Sequence, residues 1–188
     1  MAQAKTLTQE ELEQVLNYVS TRKYAERNRA LIAMSFFAGL RVAEIASLKM
    51  ADVVNTDGTI KAEIRLAANQ TKGKHPRTVF VSTKLREILA EYLATRHVRN
   101  NDVAFFHTDN RLSFTPNGLC VWFHTLYKTI GIAGGSSHSG RKFFITSLAN
   151  KGIGVRILAS LAGHRSISVT QRYIDVNDEQ KRQAVELI

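Results

Sequence analysis

At 188 residues and 44% hydrophobic, the chain has the size of one domain, or of a domain plus a tail, and enough apolar material to bury a core; nothing in it indicates global disorder. Lys and Arg number 26 against 16 Asp and Glu, a formal net charge of +10. That balance points to a polyanion: nucleic acid first, an anionic membrane second, with a basic protein that meets no polyanion as the plain alternative. No apolar run is long enough to span a bilayer, and "MAQAKTLTQEEL" has no apolar signal core. The single cysteine, Cys120, cannot form an internal disulfide, so a cytoplasmic location is expected. Cys120 lies in the apolar helical stretch "GLCVWFHTLY" and is expected to pack rather than to react.

In chain order, Thr8 and Glu11 are spaced as a capping box, and Leu12 and Val15 continue an apolar stripe, which predicts a helix over Thr8–Val19. "RNRALIAMSFFAGL" (Arg27–Leu40) is apolar nearly all round, as in a buried helix, with Gly39 as its stop. "RVAEIASLKMADV" resumes helical spacing through Val42, Ile45 and Leu48. The turn signal "NTDG" (Asn55–Gly58) follows. Ile60, Ile64 and Leu66 predict a strand and "RTVFVS" (Arg77–Ser82) a second, joined by the polar connection "NQTKGKHP": a hairpin with a basic tip. "AFFHTDNRLSF" is expected to add a third short strand. Helices are predicted over Thr83–His97, Pro116–Ile130, Ser139–Asn150, Val155–Leu161, Ser168–Tyr173 and Glu179–Leu187. The fold class is therefore mainly α with a small antiparallel β-sheet (α+β), without internal repeats or long linkers.

Four segments carry candidate chemistry. In "AGLRVAEI", Arg41 follows the Gly39–Leu40 break between two apolar helices, where an arginine is seldom buried unless paired. It either forms a local i,i+3 ion pair with Glu44 or reaches into a cleft to grip an anion with Glu44 as support. In "TKGKHPR", Lys72, Lys74, His75 and Arg77 crowd the hairpin tip; they form a solvated basic loop that touches phosphates, or Lys72 donates a proton. In "SSHSGRKFF", His138 and Arg141 stand one helical turn apart, as a capping histidine and a solvated arginine or as a phosphate-holding pair. In "LAGHRSISVTQRYI", His164 follows the helix-ending Gly163, and Tyr173 closes the next short helix. Each plain reading is reasonable alone. Together, two arginines can bind non-bridging phosphate oxygens, a lysine can protonate a departing oxygen, and a histidine can take the proton of an attacking tyrosine. A free phenol has a pKa of about 10, so forming phenolate at neutral pH costs about 4 kcal/mol unless cations or a base offset it.

This ordered set resembles the tyrosine recombinases, or phage integrase family. "AGLRVAEIASL" is similar to the family's first arginine box, "TKGKHPRTVFV" to its lysine hairpin, "HSGRKFFITSLANKGI" to its His-x-x-Arg box and "LAGHRSISVTQRYI" to its terminal Gly-His and Tyr box, over roughly Thr8 to Val176. The resemblance implies the family's catalytic-domain fold. It implies that Arg41 and Arg141 bind the scissile phosphate, that Lys72 is the general acid for the 5′-oxygen, and that His138 is the acid/base partner of the nucleophile. His164 then bonds the phosphate or orients the site, Tyr173 becomes a 3′-phosphotyrosine, and Glu44 supports the first box. Lys74, His75, Arg77, Lys142, Arg165 and Arg172 are taken as further DNA contacts. No metal or other cofactor is expected; a zinc site is disfavoured because no histidine pair has ligand-like spacing and cysteine partners are lacking. The implied partners are double-stranded DNA, three further copies in a tetramer on DNA, and accessory DNA-bending proteins, at the nucleoid and without a membrane.

The chain departs from the family pattern in two places. Gly140 stands where the family often has leucine, which bears on packing more than on chemistry. Residues 1–176 are expected to be the catalytic domain, with no core-binding domain in front, as in an expressed fragment or a short member like the fimbrial inversion recombinases. Residues 177–188 are expected to form a helical tail that docks on a neighbouring protomer or packs on its own domain. The expected activity is site-specific DNA recombination. The rivals are a type IB topoisomerase-like activity and a non-catalytic DNA-binding regulator derived from a recombinase.

Overall fold

The structure is a computed structural model, and it describes residues 5–97, 101–110, 112–174, 181–182 and 185–186. Helix α1 (Gln9–Ser20) begins at the expected capping box: the Glu11 amide donates to Thr8 Oγ1 at 3.2 Å and the Thr8 amide donates to Glu11 Oε2 at 3.0 Å. Its inner stripe of Leu12, Val15 and Val19 lies against α2 (Ala25–Phe37), the central helix, nine of whose residues are buried. A helix enclosed on several sides needs apolar residues all round, which is why its sequence shows almost no amphipathic pattern. Helices α5 (Thr83–Ala94) and α7 (Ser139–Asn150) cover two further sides of α2.

The stretch read as one helix after Gly39 is two, α3 (Val42–Ser47) and α4 (Met50–Val53). Leu48 and Lys49 between them are extended, and the Phe105 amide donates to the Leu48 carbonyl at 2.8 Å. The segment that docks there is the expected third strand. Among the described residues it forms only isolated bridges, Lys49 with Ala104 and His107 with Ser113. Phe105 and Phe106 are both fully buried, packed on Tyr92, and successive residues cannot both face inward along a regular strand.

The sheet has two strands, β1 (Glu63–Leu66) and β2 (Arg77–Phe80), antiparallel with Glu63 opposite Phe80 and Leu66 opposite Arg77. Ile64, Leu66 and Val79 face the core, while the connection, which includes a short 3₁₀ turn at Ala68–Gln70, projects outward. Helices α6 (Pro116–Thr129), α8 (Val155–Ala162) and α9 (Ile167–Gln171) complete the described elements. Cys120 on α6 is half-buried against Ser137. The predicted helix Glu179–Leu187 lies largely outside the described residues. No helix among the described residues is long and apolar enough to cross a membrane.

Gly140, on the first turn of α7, has a packing reason. A Cβ there would come within 2.3 Å of Ser35 Oγ and 2.7 Å of Phe36 Cδ2 on α2. The two helices therefore approach more closely than any side chain at this position permits, and this contact sets where Arg141, the next residue, emerges.

Candidate active site

Three chain segments meet at a cleft of about 370 Å³ lined by Arg41, Glu44, Lys72, Arg77, His164 and Arg165, among others. Glu44 lies at its base with its side chain fully buried. Its carboxylate accepts from Arg77 Nη2 at 2.8 Å, Arg41 Nη1 at 3.1 Å and the Arg41 amide at 2.8 Å. Burial opposes ionisation, but the hydrogen bond and charge of Arg77, then those of Arg41, outweigh it and hold the carboxyl below the usual range. The i,i+3 ion pair of Arg41 with Glu44 thus exists, and Arg41 also lines the cleft.

Arg77 was expected as a DNA contact. In the structure its side chain is largely buried and still lines the cleft. Besides Glu44, its Nη1 donates to the Leu161 carbonyl at 3.0 Å, so it ties the first strand residue after the lysine loop to both α3 and the end of α8. Gly163 completes this junction. It adopts φ +62°, and a Cβ there would lie 2.5 Å from Arg77 Cδ. The left-handed turn lets the Gly163 and His164 amides donate back to Ser160 and Ala159 carbonyls, closing α8 and aiming the next residue, His164, into the cleft.

Arg141 is buried. Its Nη1 donates to the Gly39 carbonyl and its Nη2 to the Ala162 carbonyl, so this one side chain fastens the loop before Arg41 to the end of α8. Burial, followed by the charge of Arg41, pushes its pKa down to about 9, which leaves the guanidinium charged at neutral pH. Gly39, at φ +62°, has Phe144 from α7 where a Cβ would sit, another close approach beneath the site.

His138 occupies the N-cap of α7, but its side chain makes no capping bond, so the capping reading is not what is seen. Partial burial, then the charges of Arg141, Arg41 and Lys72, lower its pKa. His164 behaves similarly: burial and then Arg141, Arg41 and Arg77 push it down to about 4, so its imidazole is neutral. Its ring stacks on Tyr173 with centroids 5.9 Å apart and planes inclined by 19°. Its Nδ1 is 2.8 Å from Thr170 Oγ1. The Tyr173 amide donates to the Thr170 carbonyl at 2.9 Å, and the Tyr173 carbonyl accepts from Thr146 Oγ1 at 3.3 Å.

Lys72 is exposed on the loop and lines the cleft with His75 and Arg165. Lys74 and Arg172 are exposed, and Lys142 is half-buried on α7; none of the three lines the cleft. His138 and Tyr173 sit beside it rather than in its lining. No cluster of three or more metal-ligating side chains occurs among the described residues.

Residues 5–180 match the phage integrase family. The chain belongs to the phage integrase family. Tyrosine recombinase XerA of Pyrococcus furiosus is 29% identical over 97% of this chain, which covers 61% of that protein. The crystal structure of XerA recombinase superposes with a TM-score of 0.78 at 23% identity, over all of this chain and 64% of that one. The pre-cleavage complex of XerH site-specific recombinase bound to difH substrate gives 0.72 at 24% identity, over 96% of this chain and 53% of that one. The chain thus spans about three fifths of the length of the curated relatives it matches, and it shares the fold of these recombinase structures.

The contact of Thr170 with His164 and the inward partners of Arg77 escaped the sequence reading. Thr170 offered only a hydroxyl on a short helix, three residues before Tyr173. Arg77 was noticed for its charge, but its partners are 33 and 84 residues away.

Proposed function

We propose that this chain is the DNA-cleaving and rejoining part of a site-specific tyrosine recombinase. The observation that carries the reading is the convergence of Arg41, Arg141, His164 and Tyr173, from three separate segments, around one cationic cleft whose only described carboxylate, Glu44, is already paired. Such a cleft favours an anion that brings its own negative charge, as a phosphodiester does.

Arg41 and Arg141 hold the non-bridging oxygens of the scissile phosphate, and the neutral His164 adds a hydrogen bond. The Tyr173 hydroxyl attacks phosphorus. Its Oη–P bond forms, the P–O5′ bond breaks, the phenolic proton passes to His138, and Lys72 supplies a proton to the departing 5′-oxygen. The product is a 3′-phosphotyrosine and a free 5′-hydroxyl. Attack by a 5′-hydroxyl from a second duplex reverses these steps and exchanges the strands. His138 is suited to accept a proton because its lowered pKa keeps it neutral. The acting unit is a tetramer on double-stranded DNA, with residues 1–176 as the catalytic domain, the tail joining protomers, and accessory bending proteins where the site requires them, at the nucleoid.

The test uses DNA from the flanks of the gene, nicked so that the short fragment bearing the 5′-hydroxyl diffuses away. Wild type should accumulate SDS-resistant protein–DNA adducts and Tyr173→Phe should not. Adducts from both proteins, or site-independent relaxation of supercoils without joining of two duplexes, would overturn the proposal.

A further inference from the structure

We propose that Thr170 is a positioning residue that fixes the tautomer of His164, keeping the proton on Nε2 so that this nitrogen is presented to the cleft as a donor. The inference deepens the reading of the site as a phosphate-binding centre and rests on it for its functional part.

Thr170 is fully buried, so water cannot take the proton of its hydroxyl. Among the described residues, the hydrogen-bond partner seen for Thr170 Oγ1 is His164 Nδ1, at 2.8 Å. A buried hydroxyl left without an acceptor is costly, so the hydroxyl donates and Nδ1 accepts. A neutral imidazole whose Nδ1 accepts carries its proton on Nε2. The low pKa of His164, about 4, fits a ring that stays neutral and has one proton to place. The opposite tautomer would put a lone pair toward a cleft lined by Arg41, Arg77 and Lys72, where the ligand brings the negative charge and a donor is what serves it.

The position of Thr170 adds a second consequence. Its carbonyl accepts from the Tyr173 amide at 2.9 Å, while its hydroxyl holds the histidine ring on which Tyr173 stacks. One residue of α9 therefore registers both the ring that meets the phosphate and the backbone of the nucleophile. Of its two bonds, only the hydroxyl depends on the side chain. Thr170→Val keeps the shape and the backbone bond and deletes the tautomer control; Thr170→Ser keeps the hydroxyl.

Two readouts decide. In the full chain labelled with ¹⁵N in its histidine rings, two-bond proton–nitrogen correlations at neutral pH should show His164 with Nε2 protonated and Nδ1 as acceptor. Thr170→Ser should preserve that pattern, and Thr170→Val should convert it to a mixture of tautomers. In the adduct assay Thr170→Val should slow cleavage about tenfold, the size expected from one misplaced hydrogen bond, with the half-saturating DNA concentration unchanged and the serine variant near wild type. A wild-type spectrum with the proton on Nδ1, or a valine variant with the wild-type spectrum, overturns the proposal. Should none of the proteins cleave DNA, the recombinase reading fails while the nitrogen spectra still decide the tautomer.

Discussion

Replacing Glu44 by glutamine should damage the fold as well as the site, and the structure sets the size of the effect. The carboxylate is wholly buried, and its partners are 10% (Arg77) and 24% (Arg41) exposed. Glutamine keeps one acceptor oxygen but turns an amide donor toward a guanidinium and leaves the two arginines, with Arg141 beyond, without a counter-charge. Removing one member of a buried ion pair costs about 3–5 kcal/mol, and the partial exposure of Arg41 places this case near the lower end. With a urea dependence of about 2 kcal/mol per molar, a loss of ~3 kcal/mol moves the unfolding midpoint down by ~1.5 M. Arg77→Met should be costly in wild type and much cheaper in the glutamine background, giving a coupling of at least ~1 kcal/mol in the double-mutant cycle. Sulfate should restore part of the loss in Glu44→Gln by occupying the uncompensated cleft. A midpoint shift below ~0.3 M, or additive effects of the two substitutions, would refute the view that Glu44 and Arg77 form one buried unit.

Stability should also fall as the solution is acidified. His164 titrates near 6.5 when unfolded but at about 4 when folded, so across that interval the unfolded chain binds more protons and stability declines with falling pH. The loss amounts to at most ~3 kcal/mol, reduced by solvent at the half-buried ring. His138 acts in the same direction, and the lowered pKa of Glu44 extends the decline below its ordinary 4.5; urea midpoints that stay flat through the window would contradict this. Gly163→Ala forces a side chain into left-handed backbone and against Arg77 Cδ, and should cost about 1–2 kcal/mol, read as a drop of roughly 5 °C in the thermal midpoint; an unchanged midpoint would show that the junction yields. Gly140→Ala should cost about 1–3 kcal/mol by overpacking α7 on α2, and a neutral result would mean the helices can separate.

Much of this molecule can be read from local pattern. The Thr8–Glu11 box marks the start of α1, the apolar run in α2 announces a buried helix, and the order of the four basic segments points to the candidate site from the sequence alone. What could not be read depends on distant partners. The break at Leu48–Lys49 exists because a segment more than 50 residues later supplies the hydrogen bond to Leu48, a competition that helical spacing does not record. Phe105 and Phe106 satisfy strand propensity, yet both are drawn into the core, and tertiary packing overrides alternation. At the site, charge drew attention to Arg77 and suggested an outward role, but its position at the start of β2 turns it inward onto Glu44. Thr170 carries no charge at all. Its significance arises because α9 folds back on the turn after Gly163, a closure that only the three-dimensional structure reveals.

The most direct test of the proposed chemistry is to digest the trapped protein–DNA adduct and identify the linked peptide by mass spectrometry. The account predicts one modified residue, Tyr173, carrying a nucleotide through its 3′-phosphate, with a 5′-hydroxyl on the released strand. A linkage to any other residue, or a phosphotyrosine bonded to the 5′ end, would contradict it.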